Sequence, residues 1–266
     1  MAPMTPIEPQ PAQLKRSLSV IVTAMNEQGN LRPTVEAVVE SVSARFEPYE
    51  IIVIDDGSTD RTPMVAADLM TENTRIRVHR NPVNRGLAYS YRRGLELATL
   101  EYTSWVAGNN LVPPAAFNDI YDRVGEADMV VSYIKTDVRR RSRQILSRTF
   151  TTVVNTLFGT RLRYFTGPCV YRTEVAKRIR HISHGSMFVV ETVLRLVKSG
   201  QRYVEVGLDP LPRSSGASKT FRPRNVAGIA VSLLHLFWEI RVMRRSLGLP
   251  KGEELVDGEN VSAFGS

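Results

Sequence analysis

Apolar residues in the first half of the chain fall into short β-branched runs, separated by stretches with helical spacing. SLSVIVTA (17–24) and EIIVID (50–55) are apolar, rich in β-branched residues and of strand length, the pattern of buried parallel strands. RIRVH (75–79), SWVA (104–107) and DMVVSY (128–133) continue the series. Helices are expected between them, around 30–46, 60–72, 86–100 and 114–124. Pro33 and Pro63 sit near the starts of two of these, where a missing N–H costs nothing. The alternation predicts an α/β fold with a mostly parallel central sheet, right-handed crossovers and helices on both faces. In such a sheet ligands bind past the carboxyl ends of the strands.

The second half reads differently. Residues 144–158 place Ile145, Leu146, Phe150, Val153, Val154, Leu157 and Phe158 on one helical stripe. A helix is expected over 187–199, then the strand YVEVGL (203–208) and a last helix over about 225–245. The apolar run of that last helix, VAGIAVSLLHLFW, is shorter than the ~20 residues needed to span a bilayer, and His235 and Glu239 interrupt its apolar character. An amphipathic helix lying in a membrane interface, peripheral or re-entrant, is the expectation, with an ordinary core helix as the alternative. The organisation expected is a disordered lead-in (1–16), one catalytic domain (17–225), an interfacial helix (226–246) and a disordered tail (247–266).

Charge sharpens this picture. The formal net charge is +8, and its distribution is uneven. No acidic residue occurs from Val138 to Thr173, a stretch that carries Arg139, Arg140, Arg141, Arg143, Arg148, Arg161, Arg163 and Arg172. A second acid-free stretch, Pro210 to Trp238, holds Arg213, Lys219, Arg222 and Arg224. Such blocks attract phosphate ligands or anionic lipid, or else form a solvated basic face. Nothing resembles a nucleic-acid-binding module, so nucleic acid is not expected as a partner. The single cysteine, Cys169, excludes an intramolecular disulfide and fits a reducing compartment. The proline-rich start has no apolar run and does not read as a signal peptide. Oligomeric state is left open, a homo-oligomer being one option.

Four polar sets follow strand ends. They are Asn26-Glu27, Asp55-Asp56-Gly57-Ser58-Thr59-Asp60, Asn84-Arg85-Gly86 and Gly108-Asn109-Asn110. Adjacent carboxylates at the end of a buried strand are costly unless they bind something: a cation, a ribose hydroxyl or a base N–H. Helix capping by Ser58 or Thr59 around a Gly57 turn is the plainer alternative.

Taken in order, VIVTAMNE, IIVIDDGSTDRT and NRGLAYSYRRGLELA resemble the opening of the inverting nucleotide-sugar glycosyltransferases. FVVETVLRLVKSGQRYVEVGLDPLPRSSGASK is similar to the branch that includes dolichyl-phosphate mannose synthase and the polyprenyl-phosphate glycosyltransferases. The resemblance covers about residues 17–225. It implies a Rossmann-like GT-A fold, a UDP- or GDP-sugar donor, a lipid-phosphate acceptor, and Mg²⁺ or Mn²⁺ bridging the diphosphate at the cytoplasmic face of a membrane. It places Asn26, Glu27, Asp55, Asp56, Asn84, Arg85 and Gly86 at the nucleotide. Glu191 falls at the acidic position over the active site. Arg213, Gly216, Ser218 and Lys219 form a loop suited to phosphate, in which Arg213 and Lys219 steady the charge, and Arg139 and Arg140 would face the acceptor.

The chain departs from this pattern in three places. Ala24 and Met25 replace the Pro and Tyr usual before Asn26, and Arg163-Tyr164-Phe165-Thr166 stands where many relatives have an aspartate. Where relatives carry the metal-binding carboxylates, this chain has Asn109 and Asn110, which offer a hard cation only neutral oxygens. Three readings follow: a metal held mainly by the diphosphate, a basic loop in place of the metal, or a weakened catalyst. A phosphate acceptor is already an anion and needs no strong base. A hydroxyl acceptor would need one, for which Glu191 is the candidate. A nucleotide-sugar-binding homologue without catalysis is the remaining alternative.

Overall fold

The structure, a computed structural model, describes residues 16–137, 139–211 and 223–242, the last segment with side chains from 228 onward. Seven strands form one sheet in the order β3-β2-β1-β4-β6-β5-β7. They are β1 Leu18–Ala24, β2 Tyr49–Asp55, β3 Ile76–Arg80, β4 Tyr102–Ala107, β5 Met129–Ile134, β6 Cys169–Arg172 and β7 Tyr203–Leu208. The helices are α1 Leu31–Ser43, α2 Thr62–Glu72, α3 Leu87–Leu97, α4 Pro114–Tyr121, α5 Arg141–Phe158, α6 Thr173–Lys177, α7 Met187–Lys198 and α8 Pro223–Phe237. A π-helical turn, Trp238–Val242, continues α8.

The central strands β1 and β2 bury both faces, which is why they read as continuous apolar runs, whereas the edge strand β3 is only partly buried. Leu18, Val20 and Val22 of β1 face one core with Ile51 and Val53 of β2, under α1, α2 and α4. Ile21, Ile52 and Ile54 face the other, under α3, α5, α6, α7 and α8. Gly94 lets α3 lie directly on β1, since a Cβ there would meet Ile21 Cγ2 at 2.3 Å. Helices on both faces of a mostly parallel sheet are what the hydrophobic pattern predicts.

One strand departs from it. β6 runs antiparallel to both β4 and β5 and separates them, pairing Thr103 with Tyr171 and Val131 with Cys169. The stripe expected over 144–158 forms a helix, but it divides on packing. Val154 and Phe158 are buried, whereas Ile145, Leu146 and Val153 stay exposed. The last helix closes on the same face through Leu236 and the Phe158–Phe237 ring contact. Residues 1–15 and 243–266, expected as lead-in and tail, lie outside the described residues, as does Val138.

Because β1 pairs with β2 on one side and β4 on the other, the chain reverses direction across the sheet between β1 and β4. In open α/β sheets a switch point of this kind is where loops diverge and ligands bind. Register aligns the strand ends there: Ala24 lies opposite Asp55, and Thr23 opposite Ala107. All four polar sets of the sequence therefore follow strands of the sheet's parallel half.

Candidate active site

The first two loops are stitched together by side-chain to backbone bonds. Asn26 N–H donates to Ser58 Oγ at 2.9 Å, and Thr59 N–H donates back to Asn26 Oδ1 at 2.9 Å. Glu27 N–H donates to Thr62 Oγ1 at 2.8 Å, and Gln28 N–H to Asp60 Oδ2 at 3.2 Å. Asp60 also accepts from Thr62 N–H, opening α2. Burial raises the Asp60 pKa, but bonds from Thr62 and Gln28 outweigh it and hold the carboxyl below its ordinary value. Glu27 accepts from Asn30 Nδ2 at 2.7 Å. Among the described residues only two non-glycines take positive φ, Asn26 (+56°) and Asn110 (+51°). They stand past the ends of β1 and β4, on the two sides of the switch point, where such conformations commonly accompany a binding site.

The carboxylate pair is buried and divides its work. Asp56 faces the 81–86 segment, where Oδ1 accepts from Asn81 Nδ2 at 2.8 Å and Arg85 N–H at 2.9 Å. Its Oδ2 accepts from Gly86 N–H at 2.8 Å. Asp55 Oδ1 accepts from Ser58 N–H at 3.0 Å. Asp55 Oδ2 lies 3.1 Å from Arg80 Nε, yet it has no hydrogen-bond partner. The short distance and the missing bond agree once direction is considered, because the N–H does not aim at the oxygen. A buried carboxylate oxygen of this kind is an acceptor for a ligand N–H or hydroxyl. Gly57 is required by the fold here. Its φ is +69°, and a Cβ would stand 2.5 Å from the Val83 carbonyl carbon.

At the end of β4, Gly108 N–H donates to Thr23 O at 2.9 Å and Asn110 N–H to Thr34 Oγ1 at 2.9 Å. The backbone of the Asn pair is thereby fixed against β1 and α1. Asp55, the last residue of β2, and Asn26, Glu27, Asp56, Asn84, Arg85, Gly86, Asn109 and Asn110, on the loops beyond, thus lie at the carboxyl ends of the sheet's parallel half.

Two other expected groups behave differently. Glu191 is fully buried in α7, with relative exposure 0%. It accepts from Ile182 N–H, Ser183 N–H at 2.8 Å and Arg195 Nε at 2.7 Å. A general base must present a lone pair to the substrate, and this carboxylate is spent on the 182–183 backbone. The base role expected for it does not follow from this placement. Arg139 is clamped by Asp137 at 2.7 and 2.6 Å, and Arg140 caps the start of α5 with its side chain exposed. Arg163 and Arg172 pair with Glu205 and Glu101, so the acid-free stretch is partly neutralised by acids from elsewhere in the chain. Arg213, Gly216, Ser218 and Lys219 lie outside the described residues.

Sequence reasoning missed three contributors. Asn81 and Arg80 reach the carboxylate pair, and Thr34 reaches the Asn loop. Arg80 ends β3 and Asn81 follows it, so the rule about carboxyl ends applies to them as well. Thr34 sits inside α1 and gives no local signal.

The glycosyl transferase family 2 profile matches residues 19–191. The chain belongs to that family. Glycosyltransferase AglD of Haloferax volcanii is 25% identical over 254 residues, which is 90% of this chain and 40% of that protein. Dodecaprenyl-phosphate galacturonate synthase of Rhizobium johnstonii is also 25% identical, over 88% of this chain and 72% of its own length. The chain spans only 34–40% of the first four curated relatives it matches. Among solved structures, glucosyl-3-phosphoglycerate synthase of Mycobacterium tuberculosis, bound to Mn²⁺, UDP and phosphoglyceric acid, superposes with a TM-score of 0.63. It is 18% identical and covers 89% of this chain and 80% of that one, a likeness of fold. The GT-A fold inferred from the family 2 motifs is the fold observed.

The described residues at these strand ends do not fit a protein-held divalent cation. The Asn pair brings no charge to the end of β4, Asp56 and Glu27 accept internal donors, and Asp55 Oδ2 lies 3.1 Å from the Arg80 guanidinium, whose charge repels a cation. Among the described residues no group of three or more His, Cys, Asp or Glu side chains is arranged to hold a metal.

Proposed function

We propose that this chain transfers a sugar from a UDP- or GDP-sugar to a polyprenyl-phosphate type acceptor, with inversion, at an anionic membrane surface. The observation that carries the donor half is the buried Asp55–Asp56 pair at the switch point. Asp56 pins the backbone of Arg85 and Gly86, shaping a loop over the crevice, and Asp55 Oδ2 is the buried acceptor left for a nucleoside. The acceptor half draws support from the dodecaprenyl-phosphate galacturonate synthase, which is similar to this chain over most of both lengths. It also draws on Arg213 and Lys219, whose spacing around Gly216 and Ser218 suits a phosphate.

In this reading an acceptor phosphate oxygen attacks the anomeric carbon from the face opposite the leaving group. The bond from that carbon to the nucleoside diphosphate breaks, and the nucleotide departs as its anion. The nucleophile brings its own charge, so the protein aligns the reactants and offsets leaving-group charge without abstracting a proton. Glu191, committed to Ile182, Ser183 and Arg195, is not needed as a base.

The test is direct. Calorimetry with UDP and GDP is expected to show binding to wild type and at least a tenfold loss in Asp56→Ala, because the loop donors lose their acceptor at ~1–3 kcal/mol each. Circular dichroism of that variant is expected to stay native. Mass spectrometry after incubation with UDP- and GDP-sugars and undecaprenyl phosphate is expected to show the glycosylated lipid. Unchanged nucleotide affinity in Asp56→Ala overturns the donor assignment, and transfer to a hydroxyl alone overturns the acceptor assignment.

A further inference from the structure

We infer that this chain binds its nucleotide donor without a protein-held divalent cation, and that the Asn109 and Asn110 side-chain amides contact the donor's diphosphate directly. The inference rests on the donor reading above and adds to it how the phosphate charge is met.

The starting point is chemical. A carboxylate at the end of β4 helps bind a diphosphate only while a cation stands between the two anions; alone it repels the ligand. An amide in the same place does the reverse. It gives a cation a neutral oxygen and no charge, but it presents two N–H donors to a phosphate oxygen. With Asn at both positions the loop carries no charge and presents four N–H donors, which is the composition a cation-free phosphate subsite calls for.

Geometry agrees with that use. The loop is held by its backbone, through Gly108 N–H to Thr23 O and Asn110 N–H to Thr34 Oγ1. Both side chains are partly exposed, and among the described residues neither amide is used in a hydrogen bond. Asn110 accepts a φ of +51° to hold this course, a conformation asparagine tolerates better than most residues. By register the loop stands two strands from Asp55, on the far side of β1, roughly 10 Å across the crevice.

The neighbouring acids do not supply an alternative metal site. Asp56 already accepts three hydrogen bonds, Asp55 faces Ser58 N–H and Arg80, Glu27 holds Asn30, and Asp60 holds Thr62 and Gln28. Asp55 stands against the Arg80 guanidinium, which repels a cation, and drawing Asp56 or Asp60 to one would disturb contacts that fix the loops.

The experiment uses the full chain, UDP and GDP, and Mn²⁺ as probes. Calorimetry is run in excess EDTA and again in MnCl₂, and Mn²⁺ binding to the protein is followed by its electron paramagnetic resonance signal. Wild type is expected to bind nucleotide with affinities that agree within about threefold in the two conditions. The protein alone is expected to leave the free Mn²⁺ signal intact. Asn109→Asp and Asn110→Asp are expected to lose about tenfold or more in EDTA and to recover with Mn²⁺, a metal dependence that a merely structural role does not create. Nucleotide binding by wild type only with Mn²⁺, or aspartate variants that bind like wild type in EDTA, overturns the inference and leaves the donor reading standing. Failure of both nucleotides in both conditions overturns the donor reading itself. Aspartate also tolerates positive φ, and thermal melts of the variants check that they are folded.

Discussion

At the scale of single residues, the site is a set of backbone positions fixed by side chains whose polarity first suggests ligand contact. Asp56 is the clearest case. Its sequence position points to the nucleotide, and its observed partners are Asn81, Arg85 and Gly86. The two descriptions meet if the carboxylate acts by shaping the loop that the nucleotide would touch. Gly57 tests that idea without altering charge. An alanine there must adopt a φ of +69°, costing about 1–2 kcal/mol. Its Cβ must also displace the Val83–Asn84 backbone from 2.5 and 2.6 Å. Gly57→Ala is expected to lower Tm by about 5 °C or more. It should also weaken UDP or GDP binding by about tenfold or more, because the displaced segment leads into Arg85 and Gly86. A variant with wild-type Tm and affinity would show that the packing of Gly57 under this loop does not matter.

At the scale of elements, the parallel strands and their helices are legible because each is a local pattern. The strand YVEVGL is read to its exact bounds, and β1 through β5 to within two residues. β6 is not legible: four residues, Cys169–Arg172, make a strand only by antiparallel pairing with β4 and β5, which local periodicity does not reveal. The loops of the site are legible as polar sets at strand ends, but their bonding is not. Whether a carboxylate faces a ligand or a backbone N–H depends on partners 25 to 30 residues away. Glu191 shows the same limit in α7. Its oxygens hold the turn before the helix, while Arg195 bridges to Glu239 on the C-terminal π-turn. His181 of that turn lies against Tyr91 and bonds Thr192 Oγ1 at 2.8 Å. Burial pushes its pKa down to about 4; Glu191 pulls it up, and Arg92 and Arg195 push it further down. The unfolded chain therefore gains a proton near pH 6.5 that the folded chain takes up only near pH 4. Stability is full above that window and falls as pH drops through it, by on the order of 3 kcal/mol in all. Urea unfolding at pH 7, 5.5 and 4.5 is expected to show this loss in wild type and a shallower slope in His181→Gln. Equal slopes would mean that His181 is protonated in the folded protein.

At the scale of the whole molecule, the face opened by α5 and α8 bears on where the proposed reaction takes place. Val231, Leu234, Trp238 and Val242 recur at three- and four-residue spacing along α8 and the π-turn, and all are exposed, Leu234 at 68% and Trp238 at 59%. Ile145, Leu146 and Val153 are exposed on α5, which packs beside α8. Arg141, Arg148 and Arg241 are exposed on the same elements. Among the described residues no helix is long and apolar enough to cross a membrane. An apolar stripe with an interfacial tryptophan and flanking arginines suits a helix pair lying in the headgroup region. Each arginine near an anionic leaflet contributes about 1 kcal/mol, and salt screens that part while leaving the apolar part. The chain is therefore expected to float with vesicles containing anionic phospholipid, and to release progressively as salt rises. Leu234→Asp and Trp238→Asp are expected to weaken flotation at all salt concentrations, since they remove apolar burial. Arg141→Gln with Arg148→Gln is expected to weaken it at low salt only. The two kinds of variant separate the two forces on one surface. Equal flotation on neutral and anionic vesicles would remove the electrostatic half of the argument. Unchanged flotation of the aspartate variants would move the contact off this face altogether.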